Sequence, residues 1–163
     1  MKTIWFVGNN EDQLISIAEI VGEELINREQ YVELVVKSEV EEVLGRGLKD
    51  TEEDRSTFCD RLGFLGNLLH RNNIFALIIS TNDNIESRKK VKEEYKNYIQ
   101  VNLGNKDKLC DIELDTKSDV KQNVKKIIEN LIDQRIIPEA AQQVYSKEEE
   151  EEIRRRLEEL GYV

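Results

Sequence analysis

The chain opens on an apolar run, Thr3 to Val7, followed by a polar turn and then Leu14, Ile17, Ala18, Val21 and Leu25 at spacings of three and four. The run reads as a strand, and the spacing puts one apolar stripe on a helix. A second run rich in β-branched residues, Tyr31 to Val36, completes a β-α-β unit whose crossover is expected to be right-handed. The stretch KSEVEEVLGRG predicts a short helix capped by Ser38 with Glu41 reaching back, ending at Gly45 or Gly47. Thr51 with Asp54 predicts the start of a helix reaching about His70, with Phe58, Leu62, Leu65, Leu68 and Leu69 turned inward.

Ile74 to Ile79 is almost wholly apolar, as expected of a central parallel strand covered on both faces. Residues 85–96 form a charged helix candidate, Tyr98 to Leu103 a fourth strand and Asp111 to Asp115 a short fifth. Ser118 is placed to cap a helix with Val120, Val124, Ile127, Ile128 and Leu131 on one side. Strands and helices alternate, which predicts an α/β three-layer sandwich.

After Pro138 the pattern changes, dividing the chain into a domain over 1–137 and a linker with a charged C-terminal helix over 138–163. Ser146 and Glu149 form a capping signature, and Glu150, Glu151 and Glu152 each precede an arginine by four, pairs worth about 0.2–0.5 kcal/mol each. The apolar stripe of this helix is narrow: Ile153, Leu157 and Leu160, extended by Tyr145 and Val163. It either docks on its own domain or meets a second subunit or another protein.

Composition narrows the partners. At 163 residues with 39% hydrophobic positions, one core is expected. A formal charge of -10 opposes nucleic acid, and no apolar run approaches the ~20 residues that cross a bilayer, so a cytoplasmic protein without a membrane partner is expected. Cys59 and Cys110 read as free thiols, and with His70 the single histidine no metal site is expected.

The first turn, GNNEDQLIS, is where chemistry is expected in such a frame, because a helix N-terminus at the end of a parallel strand attracts anions. Gly8, Asn9 and Asn10 form either that site or a plain structural turn in which Asn10 caps the helix. A loop that wraps phosphate needs several glycines, a lysine and an adjacent hydroxyl residue. Here Gly8 is the one glycine, Leu14 and Ile15 follow, and Glu11 and Asp12 repel an anion. ATP and magnesium are therefore expected to be unlikely cofactors.

Glu53, Asp54, Arg55, Arg61, Gly63, Leu68 and Leu69, in TEEDRSTFCDRLGFLGNLLHRNNIFALIIS, resemble the E-D-R region of adenylylsulfate kinases. That family phosphorylates the ribose 3'-hydroxyl of adenylylsulfate with Mg-ATP. The resemblance covers about residues 2–133 and implies a parallel five-stranded sheet of the P-loop kinase type, to which the C-terminal helix read above is an addition. It also implies a homodimer and a link to sulfur metabolism. Where the family has G-L-S-G-S-G-K-T-T, this chain runs from Gly8 to Ser16; where the family has D-G-D-N-V-R, it runs from Val36 to Glu41. The family's second aspartate thus falls on Ser38 and its anion-holding arginine on Glu41. The family's I-S-P substrate loop falls on Thr81, Asn82 and Asp83, with Arg88 read as a remnant of the arginines that follow it, and the family's lid is replaced by GNKDKLC.

These departures lead to the expectation of a pseudokinase, a module with no catalytic residues that acts in structure, regulation or protein interaction. Two alternatives stand beside it: an adenine-nucleotide or adenylylsulfate binding protein using Gly8, Asn9, Asn10, Lys37, Arg55, Arg61 and Arg88, and an active adenylylsulfate kinase. The tail, YSKEEEEEIRRRLEELGYV, resembles the endings of sulfatases and phosphodiesterases of the alkaline phosphatase superfamily, which implies a terminal docking element and no hydrolase activity.

Overall fold

The computed structural model describes residues 2–81, 84–104, 107–139 and 154–156. Strands β1 (Thr3–Gly8), β2 (Tyr31–Val36), β3 (Ile74–Thr81), β4 (Tyr98–Leu103) and β5 (Ile112–Leu114) alternate with helices. The helices are α1 (Glu11–Ile26), α2 (Lys37–Leu44), α3 (Glu52–Arg71), α4 (Ile85–Tyr95) and α5 (Val120–Asp133), with α2 and α3 both between β2 and β3. The strands form one parallel five-stranded sheet in the order β2-β3-β1-β4-β5. Its centre is β1, which aligns Gly8 with Thr81 on one side and with Leu103 on the other.

Alternate residues of the central strands feed two separate cores, because side chains of a strand point to opposite faces in turn. Ile4, Phe6, Leu77, Ile79, Ile99 and Val101 pack against the stripes of α1 and α5. Trp5, Val7, Ala76, Ile78 and Tyr98 pack against Phe58, Cys59 and Leu62 of α3 and Val91 of α4. This is the three-layer arrangement that the alternation of elements predicts. The stripe of α1 is buried as expected, from Leu14 to Leu25.

The inner face of α3 differs from expectation. Its buried residues are Phe58, Cys59, Leu62, Gly63 and Gly66, whereas Leu65 and Leu69 are half-buried and Leu68 is 41% exposed. The reason is close packing: a Cβ on Gly63 would lie 2.3 Å from Val91 Cγ1, and one on Gly66 would lie 2.9 Å from Thr3 Cγ2. Backbone contact, which leaves no hydrophobic signature, sets the rotation of this helix.

Two caps also move. Helix α2 begins at Lys37 with Val36 as its N-cap and no side-chain cap, so Ser38 lies inside the helix; its C-cap is Gly45. The N-cap of α5 is Asp119, which accepts from Gln122 N at 2.7 Å, one residue past Ser118. Thr51 caps α3 as expected, accepting from Asp54 N at 3.1 Å.

Beyond the sheet, residues 154–156 are helical and exposed. The other tail positions singled out in the sequence, Tyr145, Ile153, Leu157, Leu160 and Val163, lie outside the described residues. Among the described residues no helix is long and apolar enough to cross a membrane. Cys59 and Cys110 are free thiols, the first buried and the second partly so.

Candidate functional site

The turn between β1 and α1 is occupied by its own packing. Asn10 Oδ1 accepts from Gln13 N at 3.0 Å, so its side chain caps α1. Gly8 is buried, and a Cβ there would lie 3.1 Å from the Leu103 carbonyl and 3.3 Å from Leu14 Cδ2. Gly8 is thus needed for close approach of β1, β4 and α1. Asn9 is exposed.

A cleft of about 860 Å³ opens one strand away, where β2 and β3 end. Its described walls come from the start of α1 (Glu11), from α2 (Lys37, Ser38, Glu41), from the α2–α3 connection (Gly45, Leu48, Lys49, Asp50), from α3 (Asp54, Arg55, Phe58), and from Thr81 and Asn84. Gly8, Asn9 and Asn10 are not among them. The carboxyl end of a parallel sheet is the usual place for a ligand in this architecture, because strand ends and helix starts converge there.

Within the cleft each charged group has a defined setting. Lys37 Nζ donates to the Thr81 carbonyl at 3.2 Å and stands 5.7 Å from the centroid of the Phe58 ring. Ser38 Oγ donates to Glu11 Oε1 at 2.6 Å, joining the first turns of α1 and α2. Asp54 accepts from Thr51 Oγ1 and from Lys49 N, which ties the start of α3 to the loop before it. Arg55 pairs with Asp50 at 2.5 Å on the rim.

Arg61 and Arg88, grouped with these residues in the sequence, are elsewhere. Arg61 donates to the carbonyls of Leu44 and Arg46 and so holds the end of α2. Arg88 is 4% exposed and pairs with Asp107 at 2.9 Å behind β4. Asp107 also accepts from Gln100 Nε2 and from Leu109 N, and Gln100 Nε2 further reaches Asn102. Burial raises the Asp107 carboxyl, but the bonds from Arg88, Asn102 and Leu109 N outweigh it and hold the group below its ordinary value. Arg88 Nε and Gln100 Oε1 are buried without a hydrogen-bond partner among the described residues.

Of the expected ligand residues, then, the structure brings Lys37 and Arg55 together in the cleft and leaves Gly8, Asn9, Asn10, Arg61 and Arg88 out of it. Glu11, Phe58 and Asn84 enter the site without having been named as ligand residues, and Ser38 enters it at the position that matches the family's second aspartate. A signal for two of them was present: Glu11 and Ser38 each occupy the first turn of a helix that follows a strand, where the chain meets the carboxyl edge of the sheet.

A family model described as adenylylsulphate kinase matches residues 1–153. The chain belongs to that family. The adenylyl-sulfate kinase of Deinococcus deserti is 31% identical over 100 residues, 61% of this chain and 55% of that protein, so the match spans little more than half of that relative. A probable bifunctional SAT/APS kinase 2 of Sorangium cellulosum is 28% identical over 173 residues, covering 98% of this chain and 29% of that protein. The solved structure of Mycobacterium tuberculosis APS kinase in complex with AMPPNP and APS aligns with a TM-score of 0.70 at 17% identity, over 80% of this chain and 96% of that one, which shows a shared fold.

These findings correct three expectations. Membership of a kinase family, with relatives named as adenylyl-sulfate kinases, argues against a chain that is not an enzyme, against the description as a pseudokinase with a degenerate loop, and against ATP and magnesium as unlikely cofactors. Those expectations rested on the acidic, lysine-free turn after β1, on Ser38 and Glu41 standing where the family has an aspartate and an arginine, and on the replaced lid. The cleft beside that turn has its own cations, Lys37, Lys49 and Arg55.

Proposed function

We propose that this chain is a phosphotransferase domain of the adenylylsulfate kinase type that takes adenylylsulfate, or a closely similar adenine nucleotide, in the α2–α3 cleft. The observation that carries this reading is the cleft itself, at the carboxyl ends of β2 and β3, with Lys37 and Arg55 in its wall. Family membership supports the reaction class. ATP with magnesium, when bound, supplies the phosphoryl group and offsets its charge.

The cleft's donor set fits such a ligand. Lys37 and Arg55 suit the anionic part, and Phe58 is an aromatic wall residue. Magnesium in nucleotide sites keeps several waters and binds one or two carboxylates together with phosphate oxygens. It therefore needs no group of three or more protein ligands, and among the described residues there is none. Glu11, oriented by the Ser38 hydroxyl, is the cleft carboxylate nearest in sequence to the end of β1 and is of the kind that takes a proton from an attacking hydroxyl. Residues 8–16 contain no lysine, so this reading assigns the cationic contacts to Lys37 and Arg55.

Calorimetry with adenylylsulfate and ADP, and a coupled assay of ADP release from Mg-ATP with adenylylsulfate, test the reading together. Binding and adenylylsulfate-dependent turnover are expected. Binding without turnover would remove the phosphotransfer step and keep the nucleotide site; no binding of either ligand would remove both.

A further inference from the structure

Helix α3 carries an exposed apolar pair on the side away from its core. Phe64 is 56% and Leu68 41% exposed, while Phe58, Leu62 and Gly66 are buried. Arg61, Phe64, Leu68 and Arg71 recur at spacings of three, four and three, so they form one stripe along the helix, apolar in the middle and cationic at both ends. Arg61 donates to two uncharged backbone carbonyls, and Arg71 is exposed. The other exposed apolar residues of the sheet's amino edge, Ile26 and Tyr31, stand in an acidic stretch with Glu23, Glu24, Glu29 and Glu33.

The chain itself contains a segment of matching chemistry. In 146–160, Glu150, Ile153, Leu157 and Leu160 recur at the same three-four-three spacing, and acidic residues outnumber basic ones. Residues 154–156 within it are helical and exposed. The segment starts within reach. Helix α5 follows β5 and α3 precedes β3, so in a parallel sheet both helices end at the amino edge of the strands. Ile137 is buried with α1 and α5, on the face of the sheet opposite α3. From Glu139 to the capping signature at Ser146 the chain advances seven residues, an extended reach of roughly 23–25 Å. Crossing two packed layers spaced about 10 Å apart takes about 20 Å.

We propose that the segment 146–160 packs as a helix across the outer face of α3 of its own chain, with Ile153, Leu157 and Leu160 on Phe64 and Leu68 and its glutamates beside Arg61 and Arg71. A short helix that is polar on its other sides is marginal alone, whereas covering this pair removes apolar surface from water on both partners. Charge selects this face over that of Ile26 and Tyr31, where the same glutamates would meet like charge.

The test is hydrogen exchange of the full chain, read by mass spectrometry over 146–160 with no nucleotide present, so that its outcome does not depend on the cleft reading. Amides of this segment are expected to be protected in the wild-type chain. F64S/L68S, which changes only α3, should speed their exchange about tenfold or more, and I153S/L157S should do the same. Mixing the two variants at micromolar concentration should restore nothing, because each chain lacks one half of its own contact.

A wild-type segment without protection, or protection that F64S/L68S leaves unchanged, would overturn the proposal. Protection that returns on mixing would make a second copy the occupant and overturn docking within the chain. Should F64S/L68S fail to fold, R71E decides: it should speed exchange of the segment about two- to fivefold by turning a favourable surface charge into a repulsive one, and an unchanged rate overturns the proposal.

Discussion

Behind β4, Arg88 and Asp107 meet at 2.9 Å with side chains 5% and 13% exposed; on the rim of the cleft, Arg55 and Asp50 meet at 2.5 Å with side chains 48% and 92% exposed. The residue types match and the distances are similar, yet the two pairs do different work. The first is surrounded by Gln100, Asn102 and the Leu109 amide, and it fastens the chain after β4 to α4. Lys92 reinforces that attachment through Asp111 and the Leu109 carbonyl. The second pair stands in water, where a long side chain can change partner at little cost. The sheet thus has a closed side, where the charged pair is locked into the fold, and an open side, where among the described residues Lys37, Lys49 and Arg55 line the cleft.

Loss of one partner from each pair is the strongest way to break this contrast. R88M is expected to destabilise the fold by about 3 kcal/mol, at the lower end for a broken buried pair because Asp107 keeps other donors. It should leave nucleotide affinity in the refolded fraction unchanged. Urea unfolding of R88M beside R55M measures the difference, and equal losses would remove the distinction between the two sides.

Acid titration sharpens the same contrast. Because the Asp107 carboxyl is held below its ordinary value of 3.8, its contribution is fully present above that value and is lost as pH falls through the lowered native one. Stability curves followed from neutral pH to about pH 3 should therefore fall less steeply in D107N than in the wild-type chain. A D107N curve parallel to wild type would show that the carboxylate is not tied to the fold in this way.

The turn after β1 belongs with the closed side. N10A should cost about 1 kcal/mol, the usual loss for an N-cap, without altering adenylylsulfate affinity. A tenfold loss of affinity in N10A would return the site to that turn. The smallest stability change is expected for R55M, within about 0.5 kcal/mol, because the pair is exposed. Its adenylylsulfate affinity should nevertheless fall by roughly three- to tenfold, read by calorimetry as the loss of one rim cation.

Much of the fold is legible along the chain because strands of a covered parallel sheet are largely apolar and a helix covering them repeats its apolar positions at three and four. Tyr31–Val36 and Tyr98–Leu103 have the same limits in the structure as in the pattern, and Leu14 to Leu25 are buried as their spacing predicts. Ser38 and Ser118 show where local rules stop: each fits a capping signature, but α2 begins two residues before, and α5 one residue after, the place that signature gives. Leu68 is exposed because Gly63 and Gly66 carry the close contacts of α3, and a contact made by backbone has no apolar residue to announce it.

By itself the sequence determined the order of elements, the parallel sheet and the two apolar faces, since these follow from periodicity within short segments. Tertiary structure alone decided which charges face a ligand. Lys37 reaches Thr81, Arg88 reaches Asp107 and Ser38 reaches Glu11, contacts separated by 44, 19 and 27 positions. Burial and pairing over such distances depend on how strands and helices pack in space, and that packing sets whether a charge is locked into the fold or left at the edge of a cleft.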